Sequence, residues 1–178
     1  PFFQPGSMDP LDARWAVNVA GAGAGKRIVD PMCGTGGFLI EAGLVGSDVV
    51  GLDAQWKMTR GTRENLRAYL VADEDDNGNA QFDVLRGDAT ALPLADGIAD
   101  GVVVDVPYGR QSKVATHSLS ALVSGALAEA IRIAPRAVVV ADRSWEDTAE
   151  GVGWIVEERF ERRVHGSLTR HVHVLSRG

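Results

Sequence analysis

Five short apolar runs, separated by stretches of helical spacing, constrain this chain more than any other feature. Arg27 to Asp30, Asp48 to Asp53, Phe82 to Leu85, Gly101 to Val106 and Arg136 to Ala141 each read as a buried strand. Phe38 to Val45 and Trp56 to Leu70 have helical spacing, the second with Leu66 and Leu70 on one face. Leu119, Leu122, Val123, Ala126, Leu127, Ala130 and Ile131 repeat at i, i+3, i+4 and i+7, as an amphipathic helix does. Such alternation predicts a parallel sheet with helices on both faces. Trp154 to Val164 and Arg170 to Leu175 read as two closing strands with no room for a helix between them. They must form a hairpin, which makes part of the sheet antiparallel. The expectation is an α/β fold: a mostly parallel seven-stranded sheet ending in a C-terminal antiparallel hairpin.

At 178 residues the chain has the length of one domain. It is long enough to bury roughly 70% of its unfolded surface, so it needs no disulfide or metal to stay folded. Cys33 is the single cysteine, which excludes an internal disulfide and any multi-cysteine zinc site. His171 and His173 share one side of the last strand without a third partner, and no metal is assigned to them. No run approaches the roughly 18 apolar residues of a membrane span, and no signal peptide is visible. The first residue is Pro1, not Met, so the expectation is a cytoplasmic domain from a longer protein. The net charge is −6, and only Lys26, Lys57 and Lys113 among 18 basic residues are lysines. That balance fits both salt adaptation and GC-rich coding. Acidity argues against a general nucleic-acid footprint. The charge is uneven, however. Asp73-Glu74-Asp75-Asp76 is an acidic block, whereas Arg159 to Gly178 holds five arginines and three histidines against Glu161 alone. Such a local basic patch suits an anionic ligand.

Ligands of open α/β sheets bind beyond the carboxyl ends of the strands. After the first strand comes Asp30-Pro31-Met32-Cys33-Gly34-Thr35-Gly36-Gly37, where glycines permit a tight turn and close ligand approach. The dinucleotide pattern G-x-G-x-x-G fails at Leu39. Gly21 to Lys26 resembles a phosphate loop but has Ala20 and Arg27 at the required Gly and Ser/Thr positions, so it reads as a turn. Asp53 ends the second strand about 20 residues after Asp30, the spacing of an acid that accepts from a ribose diol. Capping of the next helix is the other reading, and the glycine loop tips the balance towards ribose. Asp88, in Arg86-Gly87-Asp88-Ala89-Thr90, suits an adenine amino group or a simple turn. Asp105-Val106-Pro107-Tyr108-Gly109 is the sharpest feature. Pro107 biases Val106 towards an extended backbone, so Asp105 and the Val106 carbonyl become two acceptors for one amino group. Tyr108 offers a ring for stacking a flat base.

Taken together, these pieces resemble class I S-adenosylmethionine-dependent methyltransferases that act on exocyclic amines. They are most similar to the archaeal tRNA guanine-10 N2-methyltransferase family. The resemblance rests on Pro1 to Met8, Asp30 to Gly37, Asp53, Arg86 to Thr90, Asp105 to Gly109 and Arg163 to Arg170, in order along nearly the whole chain. It implies a Rossmann-like core at 26–178, preceded at 1–25 by a segment and helix that close over the cofactor. It also implies an RNA-binding THUMP domain upstream of residue 1. S-adenosylmethionine would then be held by Phe3, Ser7, Met8, Asp30, Cys33, Gly34, Thr35, Gly36, Asp53, Ala54, Asp88, Ala89 and Asp105. Asp105, Val106, Pro107 and Tyr108 would form the catalytic motif. Tyr108, Arg110, Arg163, His165 and Arg170 would face the RNA. Relatives carry two prolines in the Asp-Pro-Pro-Tyr motif, and Val106 replaces the first, which loosens the backbone there. A small zinc-binding activator protein is a further implied partner, beside tRNA.

The amine nitrogen of a nucleobase is a poor nucleophile, and an activated methyl on the cofactor supplies the driving chemistry. The protein's share would be alignment and acceptance of the two N–H groups. Two other enzymes use a similar motif, DNA adenine-N6 and protein glutamine methyltransferases. The Pro1 to Met8 and Arg163 to Arg170 segments favour tRNA over both. A non-catalytic cofactor-binding subunit is the alternative outside enzymes, and the intact Asp105 and glycine loop speak against it.

Overall fold

The computed structural model describes residues 2, 8–71, 80–107, 118–165 and 168–178. Twelve elements follow in order: α1 (Pro10–Val19), β1 (Arg27–Asp30), α2 (Gly37–Leu44), β2 (Asp48–Asp53), α3 (Trp56–Leu70), β3 (Phe82–Arg86), β4 (Gly101–Asp105), α4 (Leu119–Ile133), β5 (Arg136–Ala141), α5 (Glu146–Gly151), β6 (Trp154–His165) and β7 (Leu168–Arg177). The strands form one seven-stranded sheet in the order β3-β2-β1-β4-β5-β7-β6. Pairs among β1 to β5 are parallel, and β7 runs antiparallel to both β5 and β6. Mostly parallel strands with a C-terminal hairpin is the arrangement expected from the apolar runs.

Alternation along each strand sends neighbouring side chains to opposite faces. Val29, Val102, Val104 and Val139 pack with Val123, Leu127 and Ile133 of α4. Their strand neighbours Ile28, Val103, Val138 and Val140 pack with Ala16 of α1, Leu39 of α2 and Leu66 of α3. Helices therefore cover both faces, as the strand–helix alternation predicts. Because β1 and β4 are covered on both sides, their sequences are apolar without alternation.

α1 is started by local chemistry: Asp9 caps it by accepting from Leu11 N–H at 2.9 Å, and Pro10 occupies its first turn. Its last turn rests on β4, where a Cβ on Gly101 would overlap the Ala20 carbonyl. α1 also reaches the closing hairpin. Trp15 meets Phe160 edge to face at 5.6 Å, and Asp12 pairs with Arg162 and, at 3.6 Å, with Arg170.

The short helix α5 has no counterpart in the helical spacing of the sequence, because it buries only Ala149. β6 starts at Trp154 as expected and runs on to His165, while β7 extends past its expected stretch at both ends, from Leu168 to Arg177. The stretch from β3 to β4 crosses the sheet without a helix. A cavity of about 380 Å³ there is lined in part by Arg27, Asp48, Leu85, Leu94 and Ile98, at the end of β1 and β2 away from their carboxyl termini. Gly21 to Lys26 forms a turn before β1, with positive φ at Gly21 and Gly25, as expected. No helix among the described residues is long and apolar enough to cross a membrane.

Candidate active site

Three carboxylates stand side by side at the carboxyl ends of adjacent parallel strands: Asp53 on β2, Asp30 on β1 and Asp105 on β4. Asp30 is 2% exposed, and its Oδ1 accepts from Met32 N–H at 3.0 Å. Burial pushes its pKa well up. The Met32 N–H pulls back against that, while Asp105 and Asp53 add to the rise. Asp53 is raised too, again by burial, against N–H donors from Gln55 and Gly34. Those donors lie at 2.8 and 3.1 Å, so Asp53 holds the residue that precedes α3 and ties β2 to the glycine loop. Its side chain does not cap α3, whose N-cap is Gln55 with no side-chain cap bond.

The glycine loop is a compact turn. Cys33 N–H donates to Leu52 O and Gly36 N–H to Cys33 O. Gly34 and Gly36 have positive φ, at 53° and 84°, so a side chain at either would strain the backbone. Cys33 is buried against the loop, and burial raises its thiol pKa, as suits a packing residue.

Two residues of α3 hold this loop and were not singled out in the sequence. Thr62 Oγ1 donates to Gly34 O at 2.7 Å, and Asn65 Nδ2 donates to Thr35 O at 2.9 Å. Both are buried and polar on the face of α3 that carries Leu66. Polar residues in phase with a helix's apolar stripe were the available signal.

After β3, Asp88 Oδ1 accepts from Thr90 N–H and from Thr90 Oγ1, with Ala89 buried beside it. Ala54 O, just after Asp53, accepts from Arg86. After β4, Val106 N–H donates to Val140 O at 2.8 Å, extending the β4–β5 ladder by one residue. A proline there could not make that bond. The backbone freedom expected from Val106 is therefore offset by an anchor that the two-proline motif lacks. Pro107 follows, half-buried. Met8 lies at the start of α1 and packs on the α1–α2–α3 side of the core. Phe3, Ser7, Tyr108 and Arg110 lie outside the described residues, as do the acidic block and the side chain of His165.

The hairpin overhangs this edge of the sheet. The last β5–β7 pair is Ala141↔His171, so Arg170↔Arg162 and Arg163↔Thr169 stand beyond the end of β5. Arg163 is exposed there. Arg170 departs from its expected role as an RNA contact. It is 6% exposed and faces Asp12, because the guanidinium needs a carboxylate once α1 covers it. His173 is buried as well, and its Nε2 accepts from Trp145 N–H at 3.2 Å. Trp154 is core, donating to Leu127 O, while Trp56 is 62% exposed.

The sequence profile of the RMKL-like methyltransferase domain family matches residues 1–172. The chain belongs to this family. It is 41% identical, over 99% of its length, to a tRNA (guanine(10)-N2)-dimethyltransferase of Methanothermobacter thermautotrophicus. It spans about half the length of that relative. Among solved structures, TrmN from Thermus thermophilus superposes with a TM-score of 0.76 at 24% identity, over 97% of this chain and 50% of the other. The magnesium protoporphyrin IX methyltransferase of Synechocystis, with bound SAM, superposes at 0.65 and 15% identity, over 93% of this chain and 76% of the other. At such identities the superpositions establish the fold, and it is that of class I methyltransferases.

The charge of Asp30 leaves a signature in the stability of this methyltransferase domain. Between the pKa of the unfolded chain and its own raised pKa, the folded domain holds a proton that the unfolded chain has released. Stability from this group therefore falls as pH rises through that window, and the penalty is complete above it. Asp30→Asn keeps the acceptor for Met32 N–H and removes the charge. Thermal unfolding should show the variant more stable than the parent near neutrality, with the gap closing as pH falls towards about 4, the range of an unperturbed aspartate. A gap independent of pH would refute a buried, ionising Asp30.

Proposed function

We propose that this domain transfers a methyl group from S-adenosylmethionine to the exocyclic N2 amine of a guanosine in tRNA, at position 10, in one or two rounds. The observation that carries it is the row of Asp53, Asp30 and Asp105 along one sheet edge, with the glycine loop tied to the first of them. The relatives' activity supports the choice of substrate. The residues fit such a cofactor. Asp105 and Asp53 lie close enough to buried Asp30 to help raise its pKa, so a cationic sulfonium placed among the three would relieve their mutual repulsion. The cofactor supplies an activated methyl when bound.

The protein's own residues do the rest. Asp30, Cys33, Gly34, Thr35 and Gly36 hold the methionine end, Asp53 with Ala54 the ribose, and Asp88 with Ala89 the adenine. Phe3, Ser7 and Met8 complete that contact. Asp105 and the Val106 carbonyl accept the two N–H groups of the guanine amine and fix its nitrogen, while Pro107 sets the backbone between them and Tyr108. Such alignment is worth roughly 7–11 kcal/mol. Acceptance also stabilises the positive charge that develops on nitrogen. An aspartate is too weak a base to deprotonate a neutral amine, so the proton leaves after the methyl is bonded, when the nitrogen is cationic and acidic, and passes to Asp105 and on to water. Tyr108 stacks on the base, which offsets part of the few kcal/mol needed to unstack it. Arg110, Arg163 and His165 meet the RNA backbone, and Arg170 acts from behind by holding α1. The organisation is one methyltransferase domain, with 1–25 ahead of a core at 26–178, in a cytoplasmic enzyme that works beside an RNA-binding THUMP domain and a small zinc-binding activator.

The test is radiolabelled methyl transfer from S-adenosylmethionine to unmodified tRNA, followed by nucleoside analysis. The chain is run alone, joined to a THUMP domain, and with an activator. N2-methylguanosine or its dimethyl form is the expected product. Label only in DNA or protein, or none in any arm despite cofactor binding, overturns the reading.

A further inference from the structure

One buried amide joins two parts of the chain that lie far apart in sequence. Asn65, 3% exposed on α3, accepts from Phe2 N–H at 2.5 Å through Oδ1. Its Nδ2 donates to Phe2 O at 2.7 Å and to Thr35 O at 2.9 Å. Both N–H groups of the side chain and one acceptor position are thus used, two of these three bonds on the backbone of Phe2 and the third on the glycine loop. The Phe2 ring lies against α3 where Gly61 leaves room, since a Cβ on Gly61 would overlap that ring. Lys57 Nζ sits 5.7 Å from the ring centroid on the other turn of the same helix. The seat is built from both ends: a clamp for the backbone and a slot for the ring.

We propose that Asn65 is a positioning residue which makes the order of the cofactor-binding glycine loop depend on Phe2 occupying its seat at Gly61. The physical reason is the economy of one side-chain amide. If Phe2 leaves, Asn65 loses two of its three hydrogen bonds, and its Oδ1 and one N–H face the vacated seat. An amide so stripped reorients to recover hydrogen bonds, because an unsatisfied buried polar group is costly. Thr35 O then loses the Asn65 donor, and of the two α3 side chains that hold the loop only Thr62, on Gly34 O, stays in place. The role as a cofactor loop rests on the proposed function; the coupling itself does not.

The deciding variant is Gly61→Ala. It touches Phe2 and not the loop, and alanine favours the interior of α3, so the fold is expected to survive. Amide hydrogen exchange and S-adenosylhomocysteine titration are measured on the full chain for the parent, Gly61→Ala, Asn65→Ala and the double variant. In Gly61→Ala, exchange at Cys33 to Gly36 should accelerate although that loop is unaltered, and the dissociation constant should rise about tenfold, the order of one net hydrogen bond. The double variant should be no worse than Asn65→Ala. Asn65→Asp keeps the acceptor for Phe2 N–H and loses both donors, so it should loosen the loop as far as Asn65→Ala. Unchanged exchange at Cys33 to Gly36 in Gly61→Ala, or effects that multiply in the double variant, overturns the coupling. A parent that shows the exchange coupling but binds no S-adenosyl compound overturns the cofactor reading and leaves the coupling standing.

Discussion

Asp105→Ala should lower methyl transfer to tRNA by about 100- to 1000-fold, the range for removing one preorganised group that meets developing charge. Affinity for S-adenosylhomocysteine should stay within the same order of magnitude, because the glycine loop, Asp53 and Asp88 are untouched. The split follows from position. Asp105 is the last residue of β4, beside Asp30, and the next peptide is locked by Val106 N–H on Val140 O. The variant therefore changes one acceptor while the backbone around it stays in place. A second effect comes with the first. Asp105 is among the causes that raise the Asp30 pKa, so Asp30 should ionise at lower pH in the variant. Single-turnover kinetics beside cofactor titration would check both. Full transfer activity in Asp105→Ala would sink the mechanism.

The largest expected loss of stability lies at Asp12, outside the site. Its carboxylate faces the Arg170 guanidinium, whose side chain is 8% exposed, and pairs with Arg162, whose side chain is 64% exposed. Removing one partner of a buried pair leaves an uncompensated charge, which costs about 3 kcal/mol or more. Asp12→Ala should then lower the midpoint of thermal unfolding by about 10 °C for a domain of this size. Arg162→Ala removes only the exposed partner and should cost less than about 1 kcal/mol. Removing both charges with Asp12→Leu and Arg170→Met should recover most of the loss. Equal destabilisation by Asp12→Ala and Arg162→Ala would show that Arg170 is not the group that matters.

The strands were legible because strands covered on both faces need apolar side chains at every position. That is why Arg27–Asp30, Asp48–Asp53 and Arg136–Ala141 coincide with their apolar runs. The acids at the strand ends were legible for the same reason, as the first charged residues after each run. Asn65 and Thr62 were not, since a buried polar residue looks like any polar residue until its partner is known. Here the partners are backbone carbonyls of another segment. Arg170 was misplaced for a related reason. A basic hairpin reads as a surface for RNA, and only the docking of α1 brings Asp12 over Arg170. The six residues of α5 bury too little to leave a period.

The meeting of α1 with the closing hairpin bears on how the domain is made on the ribosome. α1 emerges before any strand of the domain, yet the ion pairs of Asp12 and the aromatic contact of Trp15 lie on β6 and β7, the last strands of the domain to emerge. β7 must also insert between β5 and β6, so the sheet cannot reach its final order while the end of the chain is still in the tunnel. Contacts so distant in sequence close slowly. At roughly 5–20 residues per second, Trp15 and Asp12 of α1 wait many seconds for their partners on the hairpin. Nascent chains of this domain therefore have a window in which chaperones can engage the Trp15 side of α1, and that window shuts when the hairpin docks.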